Sequence, residues 1–114
     1  MLPRCLDYLY GHLSAGRTVL VCCERGDDRS ATVAAAALLA LYDATLTSLV
    51  SADALADAPA RAAAAFSKED VRARLALLQA AYPQARVSRG LTKELNNYFV
   101  APNGGWPRMK FSAP

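Results

Sequence analysis

A chain of 114 residues and 12.2 kDa has room for one small domain, or for a piece of a larger one. Apolar residues make up 54% of it, which excludes a chain disordered by composition. Much of that share is alanine, so mean hydropathy is only +0.11, and no apolar run reaches the ~18 to 20 residues of a membrane span. Arg4 and Asp7 fall where the apolar segment of a signal peptide would lie. The net charge of +3 permits a polyanionic partner without demanding one. Three cysteines, Cys5, Cys22 and Cys23, two of them adjacent, give no disulfide framework and no metal-ligand spacing. Reduced thiols and a cytoplasmic protein are expected. With His12 the single histidine, no zinc set is expected.

Pro3 to Leu13 reads as a helix. Leu2, Cys5, Leu6, Leu9, Tyr10 and Leu13 recur at three- and four-residue spacing, and Gly16 follows as a stop. Thr18 to Cys22 is a short β-branched and apolar run, the pattern of a strand buried on both faces. A polar segment around Gly26 leads into an alanine- and leucine-rich stretch, Ser30 to Tyr42, read as a helix apolar on nearly all sides. Asp43 to Ala65 reads as irregular or partly helical. Ser67-Lys68-Glu69-Asp70 is a capping pattern that opens a helix to about Tyr82, with Val71, Leu75, Leu78 and Tyr82 as its inner stripe and Pro83 as its end. A turn at Ser88-Arg89-Gly90 precedes a short helix, Thr92 to Val100. The tail from Ala101 to Pro114 holds two glycines and three prolines and reads as loose, pinned at Trp106.

Chemistry is expected in the segment Cys22-Cys23-Glu24-Arg25-Gly26-Asp27-Asp28-Arg29-Ser30, between the predicted strand and the helix after it. A loop at such a junction turns its amides toward one point, the helix dipole adds positive charge, and Gly26 lets backbone pass close to a ligand, so the segment suits a phosphate. The spacing Cys23-x5-Arg29-Ser30 resembles the signature loop of tyrosine and dual-specificity phosphatases. That resemblance implies Cys23 as nucleophile, Arg29 as phosphate clamp and Ser30 as aid to the leaving thiolate; a thiol at a helix N-terminus has the lowered pKa this requires. Against it, Cys22 replaces that family's histidine. The loop also sets Glu24, Asp27 and Asp28 against only Arg25 and Arg29, a repulsive surround for a dianion.

A second resemblance covers more of the chain. Val21 to Asp28, Phe66 to Leu75, Tyr82-Pro83, Ser88-Arg89 and Asn96-Asn97-Tyr98-Phe99 resemble the C-terminal region of the initiator-tRNA 2′-O-ribosyl-phosphate transferases of fungi and plants. The resemblance implies an α/β fold, the C-terminal part of a dual-specificity-phosphatase-like domain with one buried strand, the phosphate-binding loop and several helices. It would occupy residues 1–100, N-terminally incomplete, followed by a tail over 101–114. It implies transfer of a phosphoribosyl group from 5-phosphoribosyl pyrophosphate to the 2′-hydroxyl of an adenosine in initiator methionyl tRNA, barring that tRNA from elongation. On this reading Glu24, Arg25, Gly26, Asp27 and Ser30 hold the donor by loop amides, with Arg29 on a phosphate. Asp28 serves as general base or as a ligand of the Mg2+ that accompanies pyrophosphate, and Cys23 needs no nucleophilic role. Asp27 and Asp28 equally suit capping of the following helix. Asp27 and Arg29 stand where the family has a lysine and an aliphatic residue. Arg89 is a further candidate for RNA or phosphate contact, with Arg86 and Lys93 completing a small basic patch. The partners expected are initiator tRNA and the pyrophosphate donor, with no membrane. Two alternatives stay open: a cysteine-dependent phosphatase using Cys23 and Arg29, and an inactive phosphate- or RNA-binding fragment.

Overall fold

The computed structural model describes residues 2–21, 29–42, 46, 48–57, 66–85, 88–100 and 105–108. Among these lie six helices: α1 (Leu2–Ser14), α2 (Arg29–Ala40), α3 (Ala52–Ala56), α4 (Lys68–Ala81), α5 (Arg89–Phe99) and α6 (Gly105–Arg108). None is long and apolar enough to cross a membrane.

The central element is α2, and its composition explains why. Alanine at half of its positions lets neighbouring backbones approach on several sides, and Ala31, Ala35, Ala36, Ala37, Leu39 and Ala40 are all buried. It packs against α1, α4 and α5. The polar residues it buries, Ser30 and Thr32, both have partners, as buried hydroxyls require. On α1, Leu6, Leu9, Tyr10 and Leu13 form a stripe at i, i+3, i+4 and i+7 that faces this core. The helix ends in a Schellman motif. Arg17 N–H donates to the His12 carbonyl (3.1 Å) and Gly16 N–H to the Leu13 carbonyl (3.0 Å), with Gly16 at φ +80°. The Tyr10 hydroxyl then donates to the Val50 carbonyl at 2.6 Å, tying α1 to the segment before α3. An isolated antiparallel bridge, Tyr42 to Leu49, closes the turn after α2.

The expected buried strand at Thr18–Cys22 is not found, and the α/β reading is corrected accordingly: the described residues contain no strand and are mostly helical. Thr18 to Val21 run without ladder partners, Thr18 is exposed and Leu20 is 86% exposed. The run has the local propensity of a strand, but a strand is stable only against neighbours, and no described segment pairs with it. Val19 and Val21 still pack their side chains against the core; Cys22 lies outside the described residues.

Helix α4 begins as its sequence dictates. Ser67 Oγ accepts from Asp70 N–H (3.2 Å) while Asp70 Oδ2 accepts from Ser67 N–H (2.8 Å) and from its hydroxyl (3.1 Å), a full capping box. Of its expected inner stripe, Val71 is buried and Leu75 and Leu78 are half-buried, but Tyr82 is 46% exposed. Tyr82 is the C-cap, with φ −138° and ψ 89°, so its side chain leaves the helical register. Helix α5 starts three residues earlier than the apolar pattern suggests, because Ser88 Oγ caps it by accepting from Leu91 N–H (3.2 Å). Beyond it, α6 places Trp106 at 4% exposure against Phe99 and Phe66, with ring centroids 5.6 and 6.1 Å apart. The tail is therefore helical where it is described, and Trp106 is a core residue.

Candidate functional site

Of the loop residues singled out in the sequence, Cys23, Glu24, Arg25, Gly26, Asp27 and Asp28 lie outside the described residues, as does Arg86. Both ends of the loop are described, and both rest on the core. Val21 packs against it on one side; on the other, Ser30 and Ala31 are buried in the first turn of α2 at 7% and 5% exposure. Seven residues thus leave and return to fixed points, and the return point is a helix N-terminus.

Arg29 is the first residue of α2 and is exposed, while Ser30 turns inward. The described first turn of α2 carries no carboxylate. A helix N-terminus leaves its first amides without intrahelical carbonyl partners and carries partial positive charge from the helix dipole. Such an end suits an anion in general, and Arg29, its exposed first residue, adds a cation there. Ser30 has an interaction partner within the fold.

Arg89 opens α5 and lines an open groove of about 390 Å³ together with Lys68, Thr92, Lys93, Asn96 and Asn97. The groove is made by two helices. Arg89, Thr92, Lys93, Asn96 and Asn97 sit at i, i+3, i+4, i+7 and i+8 of α5 and so share one face, which adjoins the face that buries Leu95 and Phe99 about a quarter-turn away. Lys68 comes from the first turn of α4. Lys68, Arg89 and Lys93 are exposed, and among the described residues none of the three is held in an ion pair. Asn96 is half-buried; its Oδ1 is shielded from solvent and has no donor among the described residues, a state that costs about 1–3 kcal/mol. Of the basic patch expected from Arg86, Arg89 and Lys93, Arg89 and Lys93 line this groove together, and Arg86 lies outside the described residues. Lys68, Thr92 and the two asparagines as groove residues were not anticipated. The helical period of the stretch 89–97 could have revealed the α5 members; no local signal could have added Lys68.

Other candidates resolve simply. His12 Nδ1 lies 2.9 Å from an Arg17 guanidinium nitrogen, and its ring rests against Tyr8. Among the described residues no group of three or more His, Cys, Asp and Glu side chains could hold a metal ion.

Comparison with curated proteins and with solved structures finds no match. One protein-family model, Init_tRNA_PT, described as the Rit1 DUSP-like domain, matches residues 1–99 and so takes in both the loop ahead of α2 and the groove on α5. By that match the chain belongs to the Rit1 DUSP-like domain family, which serves the modification of initiator tRNA and has tRNA as its partner.

Proposed function

We propose that this domain takes part in transferring a phosphoribosyl group from 5-phosphoribosyl pyrophosphate to the 2′-hydroxyl of an adenosine in initiator methionyl tRNA. The observation that carries the reading is the family match over residues 1–99. The chemistry of the loop supports it. Amides of Glu24, Arg25, Gly26 and Asp27, with that of Ser30 in the first turn of α2, bind a donor phosphate, and Arg29 adds two donors in a fixed fork. Asp28 accepts the proton of the attacking 2′-hydroxyl. The ribosyl C1′–oxygen bond to pyrophosphate breaks as the new C1′–O2′ bond forms, and pyrophosphate leaves; a Mg2+ accompanying the donor would offset the charge of that leaving group. Cys23 contributes no nucleophile.

Labelling of initiator tRNA from a donor carrying radioactive 5-phosphate tests these roles. Asp28→Asn should lower labelling by about 10²–10⁴-fold, the usual weight of a general base, while Cys23→Ser leaves it within a few-fold of the parent. The opposite pattern, with Cys23→Ser abolishing hydrolysis of an aryl phosphate and Asp28→Asn leaving it intact, would make the domain a cysteine-dependent phosphatase and end this proposal.

A further inference from the structure

We infer that the groove between the first turn of α4 and the polar face of α5 is a docking track for the sugar-phosphate backbone of tRNA. The inference rests on tRNA being the partner and not on the sugar-transfer chemistry.

Charge comes first. Lys68 and Arg89 are the first residues of their helices, where the dipole disfavours cations and favours carboxylates, and the first turn of α5 holds no acidic residue. The fold therefore gathers positive charge where helix stability argues against it. Nothing cancels it. Glu69 and Glu94, the nearest carboxylates in sequence, do not line the groove, and Asp70 is occupied by Ser67.

Shape decides the kind of anion. Arg89, Lys93 and Asn97 are spaced four residues apart, so they follow one another at steps of about 6 Å along the α5 axis. That is a line of donors comparable in repeat with the phosphates of a nucleic-acid strand, not a convergent cup for one phosphate group. Thr92 and Asn97 add neutral donors and acceptors beside the cations, able to meet the ribose 2′-hydroxyls that line an RNA backbone. The open form of the groove leaves a strand free to run through it. Lys68 on the opposite wall gives that strand a second side to lie against.

The test is binding without donor. Fluorescence anisotropy of labelled initiator tRNA is titrated with the chain at several salt concentrations, comparing the parent with Lys68→Gln/Arg89→Gln/Lys93→Gln. Removing one phosphate-neutralising cation lowers the slope of log K against log salt by about 0.7–0.9, so the triple variant should lower the slope by about 2 and bind at least about tenfold more weakly at low salt. Arg4→Gln/Arg17→Gln/Arg72→Gln removes the same charge from exposed positions outside the groove and should stay within about twofold of the parent. All six side chains are exposed, and far-ultraviolet circular dichroism confirms that both variants keep their helix content. Equal losses in the two triples, no loss in the groove triple, or tighter groove-dependent binding of a phosphopeptide than of tRNA would each overturn the inference. Loss of transfer with this binding intact discards the sugar chemistry and leaves the groove; loss of groove-dependent binding with transfer intact does the reverse.

Discussion

Trp106→Ala asks whether the segment after α5 belongs to the fold. The indole is 4% exposed and packs on Phe99 and Phe66, which themselves meet edge to face at a centroid distance of 5.5 Å. Truncating a buried tryptophan removes its transfer free energy and leaves a cavity, about 3–5 kcal/mol in all; the share owed to the two ring–ring pairs lies within that range. A domain of this size holds about 6–17 kcal/mol of stability, so about a fifth of it or more rests on one side chain beyond the last long helix. At roughly 4 °C per kcal/mol the midpoint should fall by about 12–20 °C, read by circular dichroism at 222 nm against the parent. The same loss should follow from ending the chain at residue 100. A midpoint within about 2 °C of the parent for either variant would show that α6 does not close the core over Phe99.

At Gly105, a Cβ would sit against the ring of Tyr98, 2.6 Å from its Cδ1 and nearer still to Cε1, and that ring is braced against Phe99 at 4.9 Å. Gly105→Ala should therefore destabilise by about 1–3 kcal/mol through overpacking, although alanine is the better helix former by about 1 kcal/mol; a raised melting temperature would refute the contact. Ser67→Ala removes one half of the capping box and should cost about 1 kcal/mol in chemical denaturation. Adding Asp70→Ala should cost less than its single-variant effect, because each residue serves the other, and strict additivity would contradict the reciprocal bonds. Tyr10→Phe loses the bond to the Val50 carbonyl and leaves that acceptor unpaired, for about 1–2 kcal/mol; an unchanged midpoint in denaturant would remove the tie between α1 and the α3 segment.

Elements whose stability is written locally were legible in the sequence. The stripe of α1 with its Gly16 stop, the all-round burial of α2 and the Ser67–Asp70 box all depend on residues within a few positions of one another. The failures are tertiary. Thr18 to Val21 has the composition of a strand, but a ladder needs a second segment, and Leu20 stands in solvent instead. Tyr82 fits the inner stripe by count, yet it follows the last helical residue and leaves the register there. The short helix α6 sits in a stretch of glycine and proline, and it is held by aromatic contacts that span 40 residues from Phe66 to Trp106. For the site, the types and spacing of the residues from Cys23 to Ser30 single out the loop as an expectation, and Cys23 to Asp28 lie outside the described residues. The groove needed the structure, since its sixth wall residue, Lys68, comes from a helix that ends before α5 begins.

The most direct test of the whole account is to locate the product of the reaction. Initiator and elongator methionyl tRNA are incubated with the chain and with donor labelled at its 5-phosphate, then hydrolysed in alkali, which cuts after every nucleotide except one whose 2′-oxygen is substituted. The account predicts label confined to initiator tRNA and recovered in one alkali-resistant fragment that contains an adenosine. Label spread equally over both tRNAs, label released as inorganic phosphate, or no alkali-resistant fragment would contradict it.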